Sequence, residues 1–225
     1  ASPLGCVGVF LMGGVFSALA GMSSVWGASI GLSVAQISLF VAAIYSGGLV
    51  LQYPLGWVSD RWDRRRLVLI LSAVGALTTL VVVVVQPGTL GLVVAGAIMG
   101  GVANPIYAVL LAYTNDYLDQ SDMAAASAGL LFIYGVGSFG GPLITGWMMA
   151  QMGPSGFWAY MGVLMLALAI YAGWRMTRRR ALTPDEQGNY AVITPGNTQL
   201  VVGAALDDAQ SSGQADAQDA PPPAA

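Results

Sequence analysis

Between two long uncharged segments the chain reads Gly56-Trp-Val-Ser-Asp60-Arg61-Trp-Asp63-Arg64-Arg65-Arg66, which contains six of its charged residues. Three more lie between Asp116 and Asp122, and the others lie from Arg175 onward. No charge is found in the three remaining segments, residues 1–59, 67–115 and 123–174. A transmembrane helix needs about 20 apolar residues to cross a hydrocarbon core of about 30 Å. Each uncharged segment is long enough for two such helices and a turn, so the pattern predicts six membrane crossings.

The composition also indicates a membrane protein. Hydrophobic residues make up 56% of the chain and charged residues 8%, with a mean hydropathy of +0.70, whereas soluble domains carry about 25% charged residues. A soluble helical core would need a charged outer face on each helix, and the uncharged segments offer none. Cys6 is the single cysteine, which excludes an intrachain disulfide. Because the chain begins at Ala1 without a charged region before the first apolar run, we expect a fragment or a processed product rather than a secretory signal.

We predict an all-α integral membrane fold, a bundle of six transmembrane helices over residues 1–180. Turn signals at 31–36, 86–88 and 152–154 divide the three uncharged segments. Small residues spaced four apart, such as Gly96 and Gly100, let membrane helices approach closely. The predicted spans are residues 4–26, 35–58, 67–85, 89–113, 123–149 and 156–174.

The distribution of arginine predicts the orientation. With six spans, the turns at 59–66 and 114–122 and the C-terminal end share one side, and this side carries all eight arginines. The positive-inside rule places that side, and both termini, in the cytoplasm. The tail, residues 181–225, is rich in Asp, Gln, Ala, Gly and Pro, a composition that cannot bury enough apolar surface to fold. We therefore expect a mostly disordered cytoplasmic tail.

The charged turn between spans two and three resembles the signature loop of the major facilitator superfamily, Gly-x-Leu-Ala-Asp-Arg-x-Gly-Arg-Arg. Asp63 stands where the family has Gly, and we expect it to neutralise part of the arginine cluster. Asp60 can pair with Arg64 and face the N-terminal end of a neighbouring helix. We predict a conformational latch that holds two helices together in one state, with topology alone as the alternative role of the arginines. The positions that match the loop are Gly56, Asp60, Arg61, Arg64 and Arg65.

The fifth span carries a second resemblance to the superfamily. Its segment 137–146 is similar to a Gly-x-x-x-Gly-Pro-x-x-Gly pattern, in which a proline bends the helix and the glycines allow close contact at the bend. Simple small-residue packing is the alternative role. The residues of this helix-bend motif are Gly137, Gly141, Pro142 and Gly146.

Within the superfamily the chain is similar to the bacterial YcaD-like transporters over about residues 4–175. The resemblance implies a bacterial inner-membrane protein of twelve helices in two six-helix halves, each built from 3+3 inverted repeats. The long tail after the last span favours the C-terminal half, although the signature loop is usually stronger in the N-terminal half. The missing N-terminal six-helix half is then the expected protein partner.

The predicted spans contain no ionisable residue of the kind that marks proton relays and charged-substrate sites. The candidate cavity residues are neutral, and the resemblance favours those on the first and fourth helices, which line the pathway in the superfamily. Tyr45 and Gln52 are predicted to share one face of the second helix. These candidates are Ser17, Met22, Tyr45, Gln52, Asn104, Tyr107 and Tyr134. The tryptophans near span ends are predicted to be anchors at the membrane surface, namely Trp26, Trp57, Trp62, Trp158 and Trp174.

These features together predict half of a secondary transporter that works by alternating access on a small molecule. The neutral cavity favours a neutral, amphipathic or apolar substrate. Two alternatives remain, a membrane scaffold or sensor acting through its tail, and a half-sized transporter acting as a homodimer. An enzyme is not expected, because the chain has no histidine, metal cluster, nucleophile–base pair or phosphate-binding loop. We expect no cofactor, metal or nucleic acid, and the lipid bilayer as the surrounding partner.

Overall fold

The computed structural model describes residues 3–116 and 123–177, and these residues form an all-α bundle without strands. All its helices are long and apolar enough to cross a membrane, which confirms the predicted fold class. The predicted tail and most of the turn at 114–122 lie outside the described residues. The helices are α1 Pro3–Ser29, α2 Val34–Ser59, α3 Arg64–Val85, α4 Thr89–Asn115, α5 Met123–Met152 and α6 Ser155–Met176.

Local sequence signals explain where the helices begin and end. A capping box starts α2, since the Ser33 hydroxyl accepts from the Gln36 N–H and the Gln36 side chain accepts from the Ser33 N–H. The helix α3 ends at Gln86, whose φ of 48° is left-handed, and the following Pro87 cannot continue a helix. Gly153, with a φ of 70°, ends α5 in the same way. The chain therefore reverses at the turns that the sequence predicts.

The packing of the helices follows the symmetry of two three-helix repeats. The most extensive contacts join α2 with α4, α1 with α5, and α3 with α6. Exchanging the first three helices with the last three converts the α1–α5 contact into the α4–α2 contact and leaves the α3–α6 contact unchanged. This is the pattern that a 3+3 inverted repeat produces, and it agrees with one half of a major facilitator fold.

Glycines set the distance between the helices at both equivalent crossings. A Cβ on Gly137 of α5 would overlap the carbonyl of Phe10 in α1. A Cβ on Gly100 of α4 would likewise overlap the carbonyl of Ile44 in α2. Membrane helices gain little from hydrophobic burial against each other and depend on such close van der Waals packing. The glycines are therefore required by the approach of the backbones at these two places.

Burial differs strongly among the helices. The helix α4 lies deepest, and between residues 99 and 111 only Asn104 is not buried. The helices α2 and α5 are the least covered, with Tyr53 81% and Phe139 79% exposed. The bundle thus has a well-packed centre and two helices with wide apolar faces that the described residues leave uncovered.

Two of the tryptophans predicted to be surface anchors are in fact core residues. Trp26 and Trp158 are buried, and they form an aromatic cluster with Phe40 and Phe157. Trp26 stacks on Phe157 with ring centroids 5.0 Å apart. The prediction was wrong because rings from α1, α2 and α6 cover one another, which buries large apolar areas. The remaining three are about half exposed, as anchors should be, namely Trp57, Trp62 and Trp174.

Candidate functional site

Arg64 joins three helix ends at one end of the bundle, which we call the arginine-rich end. Its side chain is 1% exposed. One guanidinium nitrogen, Nη1, donates to Oδ1 of Asp116 at 2.6 Å, and Nη2 lies 3.7 Å from Oδ1 of Asp60. Asp60 caps the C-terminal end of α2, Arg64 begins α3, and Asp116 caps the C-terminal end of α4. The cation therefore links the α2–α3 turn to α4 through a charge-assisted hydrogen bond.

Asp63, the departure from the family loop, has a local role. It is the N-cap of α3, and its side chain accepts from the backbone N–H of Arg65 at 3.0 Å. The same carboxylate receives the Arg65 side chain at two positions, 3.1 Å from Nε and 2.9 Å from Nη2. This cap explains why α3 begins at Arg64, three residues before the predicted span. Asp63 thus offsets the charge of Arg65 rather than that of Arg64.

The other two positions of the loop point in different directions. Arg61 is exposed, and its guanidinium lies 4.1 Å from the centre of the Trp57 ring and donates to the Trp57 carbonyl. This cation–π contact lies at the surface. Gly56 is buried, and its carbonyl accepts from the backbone N–H of Asp60. Of the five loop residues, Asp60 and Arg64 therefore take part in the contact between helix ends.

The helix-bend motif lies against α1. A Cβ on Gly141 would overlap the hydroxyl of Ser17, and the Ser138 hydroxyl donates across the same contact to the carbonyl of Gly13 at 3.2 Å. Pro142 is half-buried inside α5. Gly146 differs from the rest, since a Cβ there would meet only a methionine methyl group, that of Met22, at 3.8 Å. Close packing therefore involves the first part of the motif and not its end.

An aromatic triad, Phe16, Tyr107 and Tyr134, lies in the central part of the bundle. The rings come from α1, α4 and α5, and the two tyrosine centroids are 5.4 Å apart in an edge-to-face arrangement. Phe16 lies 6.4 Å from each. Tyr107 is buried, while the other two rings are half-buried. The structure thus brings together two of the predicted cavity residues and adds a third ring.

The remaining predicted cavity residues have different surroundings. Asn104 lies one turn from Tyr107 and donates to the carbonyl of Gly100 at 3.0 Å, while the half-buried Ser17 donates to the carbonyl of Gly14 and Met22 is also half-buried. Tyr45 and Gln52 both lie on α2, but Tyr45 is 64% exposed and Gln52 is buried. A spacing of seven residues places two side chains on the same helical face. Whether each side chain is buried depends on which neighbouring helix lies beside it at that level of the bundle.

Two residues of this site were missed at the level of sequence. Asp116 was counted only as a topological charge, although its place just after span four, on the same membrane side as Arg64, was a usable signal. Phe16 gave no signal that distinguishes it from any other apolar residue of a membrane helix. Its role follows only from the position of its ring beside Tyr107 and Tyr134.

These features are those of a multi-pass membrane protein. The described charges lie at helix ends, the core is neutral, and the helices repeat as three plus three. Residues 5–206 match the profile of the Major Facilitator Superfamily, and the chain belongs to this family. The family is one of membrane transporters.

Curated relatives and one solved structure agree with this assignment. The chain is 26% identical over 149 residues to the uncharacterized MFS-type transporter YcaD of Escherichia fergusonii, covering 65% of the chain and 37% of that protein. It is 28% identical over 136 residues to YfkF of Bacillus subtilis, another uncharacterized MFS-type transporter, covering 59% of the chain and 34% of the relative. The chain thus spans little more than a third of their length.

The fold is similar to that in a crystal structure of an auto-inhibited POT family peptide transporter. The TM-score is 0.65 at 16% identity, covering 88% of this chain and 39% of the other. At this identity the likeness concerns the fold alone.

Proposed function

We propose that this chain is the C-terminal six-helix half of a secondary transporter that moves a small molecule across the membrane by alternating access. The observation that carries the proposal is the buried Arg64, which ties the α2–α3 turn to the end of α4 through Asp116. Family membership and the transporter relatives support membrane transport in general. The mechanism follows from what this charged contact can do when helices move.

The contact acts as a latch because its energy depends on water. In the closed arrangement Arg64 and Asp116 are 1% and 2% exposed, and their attraction is screened little by salt. When the α4 end separates from the α2–α3 turn, water solvates both charges and replaces the lost hydrogen bond. The paired state and the separated, hydrated state of the two charges can thus have similar free energies. A rigid apolar contact has no such second state, because water does not stabilise the exposed apolar surface. Asp60, with a side chain 38% exposed, gives Arg64 a second carboxylate during the exchange.

The aromatic triad is the proposed contact surface for the substrate. Its rings and the neighbouring Asn104 provide aromatic faces and an amide without a formal charge. Such a surface favours a neutral, amphipathic or apolar molecule, which stacks on rings and forms few hydrogen bonds. The half-buried rings of Phe16 and Tyr134 are the accessible part of the triad.

The proposed protein partner is an N-terminal half of six further helices. Two observations support it: the chain spans 37% of the length of the Escherichia fergusonii relative, and α2 and α5 are the least covered helices. The DNA upstream of Ala1 tests this point. An in-frame extension with six more apolar spans is expected, whereas a start codon close to Ala1 would instead favour pairing of two copies of the chain.

We further propose a bacterial inner membrane with both termini in the cytoplasm. Asp60, Arg64 and Asp116 meet at one end of the described bundle, and every arginine of the described helices and turns lies at that end. The positive-inside rule supports a cytoplasmic location for this end. The scaffold alternative rests on the tail, which lies outside the described residues, and no contact in the described part favours it.

Uptake into proteoliposomes tests the transport proposal. The whole encoded polypeptide is reconstituted and offered a panel of radiolabelled neutral amphipathic compounds, with empty liposomes as the baseline. At least one compound should enter faster with protein, and Asp60→Asn should slow its uptake while inserting normally. No uptake across the panel would contradict a neutral substrate, and wild-type uptake by Asp60→Asn would contradict the latch.

A further inference from the structure

A cavity of about 340 Å³ lies at the end of the bundle opposite the arginine-rich end. Its walls include Trp26 of α1, Val82 and Val83 of α3, Leu92 of α4 and Trp158 of α6. Neither α2 nor α5 contributes to it, so it lies apart from the two uncovered faces. None of the described residues that line it is charged. This outer cavity is separate from the aromatic triad and from the Arg64 contact.

The lengths of the helices place the outer cavity near the membrane surface. The helix α3 has 22 residues and is about 33 Å long at about 1.5 Å per residue, close to the thickness of a hydrocarbon core of about 30 Å. Gln86 and Pro87, where α3 ends, line the cavity together with Pro154, where α6 is about to begin. Val82 lies about one turn deeper. The cavity therefore spans the level at which the ester groups and first methylenes of phospholipids lie.

The walls combine apolar side chains with polar groups at the helix ends, which suits the ester end of an acyl chain. The volume equals roughly eleven waters at about 30 Å³ each, and each buried water needs two to four polar partners. The side chains of the lining supply few, chiefly those of Gln86 and Ser155. The indole of Trp158 is 1% exposed, and its Nε1–H has no acceptor among the described residues. An ester carbonyl beside this ring would supply one, and a buried donor without an acceptor is unfavourable.

We propose that the outer cavity binds the ester end and first methylenes of a phospholipid acyl chain from the adjoining leaflet. The chain packs against Val82, Val83 and Leu92, and the ester carbonyl accepts from Trp158. Since the lining is uncharged, the site selects an acyl ester and not a particular head group. The bound chain fills the space between α3, α6 and the α1–α4 pair, and this role is independent of the proposed transport function.

Quenching of tryptophan fluorescence by brominated lipid tests the proposal. The whole encoded polypeptide is reconstituted in phosphatidylcholine vesicles whose acyl chains carry two bromines near the ester end, and in the same lipid without bromine. Val83→Phe fills the cavity with a ring. Val84→Phe is the matched control, because Val84 is the next residue of α3 and is 72% exposed.

The lipid should quench Trp26 and Trp158 despite their burial. They are two of the six tryptophans in the chain, so Val83→Phe should lower the quenched emission from these six by up to a third, and Val84→Phe should not. Equal quenching in the two variants would overturn the proposal. If Val83→Phe does not insert into the membrane, Trp158→Phe provides an independent test. The emission lost in this variant should be emission that the brominated lipid quenches in the wild type. If the lost emission is all unquenched, the proposal is overturned.

A last arm distinguishes a bilayer lipid from a free amphiphile. Delipidated protein in detergent receives a brominated monoacylglycerol, which has the same ester and chain. If both probes quench the tryptophans and Val83→Phe diminishes the quenching by each, the cavity is a site for acyl esters that the bilayer fills. Quenching by the monoacylglycerol without any Val83-dependent quenching by the bilayer lipid would overturn the assignment to phospholipid.

Discussion

Replacement of Asp116 by Asn is expected to open the contact between the α2–α3 turn and the end of α4. In the wild type the Arg64 and Asp116 side chains are buried, and their N–O distance is 2.6 Å. Asparagine keeps an oxygen that can accept a hydrogen bond from Arg64 but carries no negative charge. The variant therefore loses the electrostatic part of the contact, while Asp60 still lies 3.7 Å from Arg64.

The magnitude follows from the burial of the two side chains. Removing one partner of a buried ion pair costs about 3–5 kcal/mol. The retained hydrogen bond recovers about 1 kcal/mol, and the partly exposed Asp60 contributes at most about 1 kcal/mol. The net loss is about 1–3 kcal/mol, which corresponds to roughly a 5- to 150-fold larger ratio of the open to the closed arrangement.

Cys6 reports this opening without knowledge of the substrate. It lies in the first turns of α1, half-buried, and a Cβ on its neighbour Gly5 would overlap the Thr114 side chain near the end of α4. Alkylation of the Cys6 thiol by N-ethylmaleimide, followed by mass spectrometry of the Cys6 peptide, measures access to this contact. The alkylation rate should rise several-fold in Asp116→Asn. This rise is smaller than the change in the ratio of open to closed arrangement, because the half-buried thiol also reacts in the closed arrangement.

Asp63→Asn is the matched control, because it removes the same charge at the same end of the bundle but affects Arg65 instead of Arg64. Its alkylation rate should stay close to that of the wild type. Exchange of the charges in Arg64→Asp/Asp116→Arg should return the rate towards the wild-type value. The reasoning is refuted if Asp116→Asn and Asp63→Asn alkylate at the same rate.

Three further outcomes are expected. Gly137→Val should lower the thermal unfolding midpoint, with a cost of about 1–3 kcal/mol from overpacking against α1. Gly146→Val should change it little, because a Cβ there meets only the Met22 methyl group at an ordinary contact distance of 3.8 Å. Tyr134→Ala should raise the KM for a transported compound several-fold, because each aromatic contact contributes about 0.5–1.5 kcal/mol, and an unchanged KM would contradict the proposed contact. Gln86→Gly should raise the unfolding midpoint by relieving about 1 kcal/mol of left-handed backbone strain, and an unchanged or lower midpoint would contradict this account.

The number and type of helices could be predicted because membrane insertion depends on local composition. Charges are costly in hydrocarbon, so uncharged segments of sufficient length mark the spans wherever the helices later pack. The same locality explains the turns at Gln86 and Gly153, since left-handed and proline-containing ends depend on a few neighbouring residues. The start of α3 at Arg64 differed from the predicted span because the N-cap of Asp63 extends the helix into the charged turn.

The partners of individual side chains could not be predicted in the same way. Asp116 follows Arg64 by 52 positions, and no local pattern couples them. The burial of Trp26 and Trp158 likewise depends on rings from other helices, so a position near a span end gave the wrong expectation. Contacts between distant segments depend on how the helices cross. The crossings depend in turn on glycines such as Gly100, which lets the backbone of the neighbouring helix approach closely.

The two ends of the bundle are held by interactions of different kinds, and this difference bears on how it can move. At the arginine-rich end an ion pair joins α3 to α4, and water can solvate both charges at a modest net cost when the helix ends separate. At the opposite end Trp26 packs against Phe40, Phe157 and Trp158, and separating these rings exposes apolar surface that water does not stabilise. Within this half, motion should therefore begin at the arginine-rich end, with the aromatic cluster as the fixed point about which the helices tilt.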